Sequence, residues 1–257
     1  MNRVDVRCGV TAVAAAVVAA VLGGCGVDLP DGSESEVVDG TESREVEIDI
    51  VPFVTTTAVI VTLVTRPGDD HLYAVQSNGQ ILRVDPPTLD DVVDGRLEPV
   101  AFDDVVLDIV DMTTSGGEEG LIGLAFDPSG QYAYVHHSRL EDAHSVIAEY
   151  RVDADGRFDH DSRRELFVVE QSARAHNGGQ LLFGPDGYLY LGFGDGSLFG
   201  DGSGEGDLDR VGLDLGVPRG KILRIDPRPA GDASYVVPAD NPYVDVEGAD
   251  ARVWASG

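Results

Sequence analysis

Two stretches of this chain are near copies of each other. LAFDPSGQYAYV (Leu124 to Val135) matches LLFGPDGYLYLG (Leu181 to Gly192) as an apolar pair, Phe, a free position, Pro, a small polar residue, Gly and a Tyr-rich strand. A second pair, NGQILRVDP (Asn78 to Pro86) and RGKILRIDP (Arg219 to Pro227), repeats a different strand and its exit. A recurring turn-and-strand unit constrains the fold more than any bulk property. Repeats of about 40–50 residues, each with about four strands, are the signature of a β-propeller. The physical reason is edge management: each small sheet packs face to face on its neighbours, and radial closure removes the open ends of the stack. A sandwich also has short strands, but it does not require the recurring unit, so the pattern favours the propeller.

The rest of the chain agrees with an all-β reading. From roughly residue 50 there is no convincing amphipathic helix, and Gly, Pro, Asp and Ser turns separate short strands. Ala58–Val64, His71–Val75, Gln80–Asp85, Ile122–Phe126, Tyr132–His136, Val146–Val152, Gln180–Phe183, Tyr188–Phe193 and Lys221–Ile225 are examples. Many of them alternate apolar and polar residues, as half-buried antiparallel strands do.

The N-terminal part reads differently. Arg3 and Arg7 precede an apolar run, Val10 to Leu22, that is shorter than the about 20 residues a bilayer-spanning helix needs. Leu22-Gly23-Gly24-Cys25 follows, so residues 1–25 are expected to be a bacterial lipoprotein signal ending in a lipobox, with Cys25 lipidated. Residues 26–49 are acidic, with few large apolar side chains, and cannot bury enough surface to offset their ordering entropy. They are expected to be a flexible tether, which makes the predicted location extracytoplasmic, on the outer face of the bacterial membrane, with membrane contact through the lipid anchor only. Residues 50–257 form the predicted domain. Cys8 lies in the leader, so no disulfide is expected in the mature chain.

The net charge is −28, with 46 acidic against 18 basic side chains. Phosphate binding needs clustered bases, so nucleic acid is excluded as an expected partner. The loop GDGSLFGDGSGEGDLD (Gly194 to Asp209) collects oxygen donors of the kind calcium takes, but its spacing is not that of an EF-hand, and no metal ligand is assigned in it.

One residue stands out for chemistry. His176-Asn177-Gly178-Gly179 immediately precedes a strand of the repeated unit, where a blade loop meets the channel of a propeller. The glycines permit close backbone approach, and an imidazole there is available as a base near neutral pH. Spacing alone also fits a structural histidine. His71, His136, His137, His144 and His160 are expected at the surface or at strand edges, and Trp254 in the core.

Five motifs occur in order: GGEEGLIGLAFDP (Gly116 to Pro128), HNGGQLLFGPDGYLYLGFGDGS (His176 to Ser197), GKILRIDP (Gly220 to Pro227), DNPYV (Asp240 to Val244) and RVWASG (Arg252 to Gly257). Together they resemble the glucose/sorbosone dehydrogenase family, six-bladed propellers that use pyrroloquinoline quinone (PQQ) with calcium to oxidise aldose sugars. The resemblance implies that His176 is the catalytic base, removing the proton of the anomeric hydroxyl while hydride passes from C1 to the quinone and calcium polarises it; the product is a lactone, and an external electron acceptor reoxidises the cofactor. It implies that Glu118 lies in the loop that contacts PQQ, commonly through a glutamine. A carboxylate there is a departure, since it does not donate as an amide does.

In relatives an Arg-Asn segment follows the last motif, and further blades follow that. Roughly 200 residues at about 40–50 per blade give about four to five blades, so the chain is expected to be an incomplete propeller, inactive as a fragment. Two other functions fit the same fold. One is a non-enzymatic binding propeller similar to Hedgehog-interacting protein; the other is a calcium-dependent propeller lactonase.

Overall fold

The computed structural model describes residues 54–55, 58–88, 90, 94, 100–101, 104–196 and 211–256. The leader with Cys25, the acidic tether and most of the acidic loop after Gly194 lie outside the described residues. By its contacts the chain divides into Met1–Phe53 with Pro87–Pro99, and Val54–Pro86 with Val100–Gly257. The second unit holds all of the strands named below.

A short parallel pair joins β1 (Val54–Thr55) to β5 (Val100–Ala101). Three four-stranded antiparallel sheets make up the rest. The first runs β2 (Ile60–Thr65), β3 (Leu72–Gln76), β4 (Gln80–Val84), β6 (Val105–Asp108). The second runs β7 (Leu121–Phe126), β8 (Tyr132–Ser138), β9 (Ser145–Val152), β10 (Phe158–Val169). The third runs β11 (Leu181–Phe183), β12 (Leu189–Phe193), β13 (Lys221–Ile225), β14 (Val253–Ser256). Each is a meander in chain order, the blade unit of a propeller.

The repeated stretches fall at equivalent places. DPSG and GPDG both turn the first strand of a sheet into the second: Gly130 N–H donates to the Asp127 carbonyl at 2.9 Å, and Gly187 N–H to the Gly184 carbonyl at 3.0 Å. The ILRVDP and ILRIDP stretches carry β4 and β13, the third strands of their sheets. The third sheet runs on to Ser256 because a long excursion separates β13 from β14, so a blade here takes more chain than the spacing rule allows.

The middle sheet is covered on both faces. One apolar cluster joins Tyr73, Val75, Ile81 and Leu107 of the first sheet to Leu124, Val135 and Tyr150 of the second. Another joins Tyr134 and Ile147 of the second to Leu189, Leu191, Leu223 and Ile225 of the third. Burying each large side chain contributes about 1.5–3 kcal/mol, and edge-to-face contacts such as Tyr73–Phe126, 4.7 Å between centroids, add direction. Burial on two faces erases alternation: β7 is buried at every position, whereas β12 keeps an alternating pattern.

That difference corrects two expectations. His136 and His137 are neighbours on β8, so they point to opposite faces, and both faces are covered; the two are buried rather than at a surface or edge. Trp254 is 37% exposed rather than core. It stands on the face of the third sheet turned away from the second, beside the Arg224 guanidinium, 4.5 Å from its ring centroid.

The first strands of the three sheets converge. β7 packs against β2 and β3 on one side and β11 on the other. Together they line a cleft of about 980 Å³ whose walls include Leu63, Ile122, Leu124, Gly179 and Leu182.

Candidate active site

The chain leaves β10 at Val169 and returns as β11 at Leu181, and the loop between them lies directly on β7. A Cβ on Gly123 would sit 2.0 Å from the Gly179 carbonyl oxygen, and one on Gly179 would sit 2.7 Å from that of Ile122. The two backbones therefore meet without side chains between them, which is what the His-Asn-Gly-Gly sequence secures. Gly178, Gly179 and Gly194 form part of the wall of the cleft.

His176 begins this stretch with φ +55, a left-handed conformation uncommon outside glycine. Its backbone is held on both sides. The N–H donates to Glu118 Oε2 at 2.5 Å, and the carbonyl accepts from Gly196 N–H at 3.2 Å. The imidazole Nδ1 lies 2.9 Å from Asp195 Oδ1. The two side chains are 34% and 31% exposed, open enough to meet a solute and closed enough to hold one geometry.

Glu118 and His176 are thus brought together, 58 positions apart in sequence. The acid in place of an amide has a local rationale: a carboxylate only accepts, and the group it meets is an N–H donor. Asn177, 1% exposed, adds a second tie by donating from Nδ2 to the Glu118 carbonyl at 3.3 Å. Next to them the buried Glu119 carboxylate pairs with Arg174, Nε to Oε1 3.4 Å, at the solvent edge.

Asp195 is the partner that sequence reasoning missed. It follows β12 in a Gly-Asp-Gly turn, 19 residues after His176, and only the pairing of β11 with β12 returns the chain to the same place. The signal was a Gly-flanked acid at the exit of the strand paired with the one that His176 introduces. A neutral imidazole that donates from Nδ1 to a carboxylate carries its lone pair on Nε2, so this pair fixes a tautomer and an orientation. Such an arrangement can accept a proton from a hydroxyl. His136 does not join it; its ring packs 5.0 Å from Phe193 between the second and third sheets.

Comparison with known families matches residues 69–257 to Glucose / Sorbosone dehydrogenase. This chain belongs to the glucose/sorbosone dehydrogenase family. Hedgehog-interacting protein of Mus musculus is 29% identical over 208 residues, 74% of this chain and 27% of that protein. The HIPL1 protein of Arabidopsis thaliana is 33% identical over 104 residues, 37% of this chain and 14% of that protein. Among solved structures, a protein described as a glucose dehydrogenase from Thermus thermophilus superposes with a TM-score of 0.57 at 24% identity, over 80% of this chain and 54% of that one. The chain therefore spans about a quarter of the length of the Hedgehog-interacting relative and about half of the solved structure. The likeness in structure supports the propeller fold, with three four-stranded sheets of it described here.

Proposed function

We propose that His176 is the proton acceptor of a sugar-oxidising site and that the substrates are aldoses. The observation that carries this reading is the Nδ1–Oδ1 contact of 2.9 Å between His176 and Asp195, whose chain neighbours Gly178 and Gly194 line the cleft. Asp195 holds the ring with its Nδ1–H on the carboxylate, and Nε2 takes the proton of the anomeric hydroxyl as C1 becomes a carbonyl and a lactone forms. Asp195 also stabilises the imidazolium that results, as a carboxylate does beside a general base. The two hydrogen bonds on the left-handed backbone of His176 fix the point from which the ring extends.

The C1–H bond must also break, its hydrogen leaving as hydride to a two-electron acceptor, the chemistry that PQQ with calcium would supply in this family. The side-chain groups against His176 here include the carboxylates of Glu118 and Asp195. These do not fit an anionic quinone, and among the described residues no group of three or more His, Cys, Asp or Glu side chains is arranged to hold a metal ion. PQQ and calcium therefore come to this reading from family membership, and the steps derived from these residues are those of proton transfer alone.

The test uses the purified protein incubated with PQQ and Ca2+. His176→Ala is expected to lower glucose-dependent dye reduction by about 10²–10⁴-fold, the range of a lost general base, while the circular dichroism of the fold is unchanged. Unchanged turnover overturns the assignment.

A second reading is favoured by the Hedgehog-interacting relative: a propeller that binds a protein partner without turnover. It predicts no sugar oxidation at any cofactor concentration. In either reading we place the protein outside the cytoplasm, tethered through Cys25. None of the helices among the described residues is long and apolar enough to cross a membrane.

A further inference from the structure

We infer that Arg219 is a positioning residue for the His176–Asp195 pair, acting through the backbone of the turn that carries Asp195. This rests on the reading of His176 as a base, and it adds the element that sets the ring's tautomer.

All three carbonyls of Gly194-Asp195-Gly196 are engaged by groups from elsewhere in the chain. The Gly194 carbonyl accepts from Gly220 N–H at 2.8 Å. That of Asp195 accepts from Arg219 Nη1 at 3.0 Å, and that of Gly196 from Ser172 Oγ–H at 2.9 Å. The same Arg219 Nη1 donates to Ser172 Oγ at 2.7 Å, so one guanidinium ties the acid-bearing turn to the segment that leads into His176. Gly196 N–H closes the ring of contacts on the His176 carbonyl.

Arg219 is itself anchored at the start of β13. The Nζ of Lys221, a buried lysine, donates to the Arg219 carbonyl at 3.1 Å and to that of Val211 at 2.6 Å. The third strand of the last sheet therefore sets where Arg219 reaches. Gly196 has φ +66, and a Cβ there would stand 3.1 Å from Arg219 Cδ, so the turn is shaped to receive the guanidinium stem.

A planar guanidinium holds two acceptors in a fixed relation, which an ammonium on a flexible stem does not. A turn with its carbonyls tied presents the Asp195 carboxylate in one place, and a carboxylate in one place selects the Nδ1–H tautomer of the imidazole. The role is therefore distinct from general support of the fold: loss of Arg219 should change the ring of His176 even where the protein remains folded.

The experiment is ¹⁵N-histidine NMR on the full chain, with the His176 signals assigned by their loss in His176→Gln. In the unaltered chain, the ¹⁵N shifts of the neutral ring should show His176 predominantly as the Nδ1–H tautomer. Arg219→Met should shift it toward the Nε2–H form that dominates in free imidazole side chains, with the Nδ1–H proton exchanging at least about tenfold faster. Arg219→Lys should recover only part of the change. Ser172→Ala removes one of the two acceptors without touching the charge and should move the tautomer in the same direction by less. A folded Arg219→Met chain whose His176 tautomer and exchange are those of the unaltered chain overturns the inference. If Arg219→Met does not fold, an unmoved tautomer in Ser172→Ala overturns it equally. The readout is the ring itself, so a negative result here stands apart from a negative turnover test of His176→Ala, which strikes the base assignment.

Discussion

Two histidine environments in this molecule differ in almost every respect. His176 sits in a loop, one third exposed, in a left-handed conformation, with a carboxylate on Nδ1 and hydrogen bonds on both sides of its backbone. His136 and His137 lie in the middle of a regular strand, buried on both faces. Among the described residues neither ring nitrogen of His136 has a hydrogen-bond partner, and the ring of His137 has one long contact, Nδ1 to Thr113 Oγ1 at 3.4 Å. Burial pushes the His136 ring down to about 3, with the neighbouring His137 adding to the effect; burial, with Arg163 nearby, pushes His137 down to about 4. The contrast teaches that polarity on a strand is tolerated as neutral bulk, whereas polarity in a loop takes one fixed geometry when other segments are brought up to hold it.

The sharpest way to break the loop environment is to separate its segments. In Gly194→Val the new Cβ would stand 1.9 Å from the His176 carbonyl oxygen. The backbone contact must then open, and urea unfolding should show a loss of about 3 kcal/mol or more, as for overpacked sites with no room to relax. A variant as stable as the parent would show that the two loops are not locked.

The strand environment predicts a split between two substitutions at one position. His136→Asp places an unpartnered charge in a dry interface and should cost about 3–5 kcal/mol. His136→Leu removes two unpartnered ring nitrogens at similar volume and should be within about 1 kcal/mol of the parent. The pH dependence follows the same logic. Between the ordinary value of 6.5 and about 3 the unfolded chain binds a proton that folded His136 does not. Stability from this group is therefore fully present above pH 6.5 and falls as the pH is lowered toward the folded value. Thermal melts from about pH 7 to about pH 4 should show a shallower decline in His136→Leu than in the parent; identical slopes would place the acid sensitivity elsewhere.

The smallest expected effect on stability is at the site itself. His176→Gly removes the Asp195 contact but relieves a non-glycine residue at φ +55. These oppose each other, each worth about 1 kcal/mol, so the melting temperature should move by only a few degrees. A collapse of the fold would mean that His176 is structural first.

Part of this was legible beforehand. The repeated turn and strand stretches located equivalent positions in two pairs of sheets, because Pro-Asp-Gly and Asp-Pro-Ser-Gly encode the same turn between strands of the same order. His176 was legible from its glycines and its place before a strand. Asp195 was not, since a partner set by strand pairing leaves no local spacing. The two buried histidines were misjudged because a polar pair on a strand reads as surface when only one covered face is assumed, and Trp254 because aromatic bulk says nothing of which face of a sheet is open.

The sequence by itself determined the all-β class, the unit that repeats, the family and the one histidine worth testing; these depend on local turn chemistry and on the order of motifs. Only the tertiary structure decided that the middle sheet is buried twice over, that Glu118 fastens the His176 backbone, and that Ser172 and Arg219 meet at the turn that carries Asp195. Those contacts join residues that share no periodicity, so their geometry exists only once the sheets have packed.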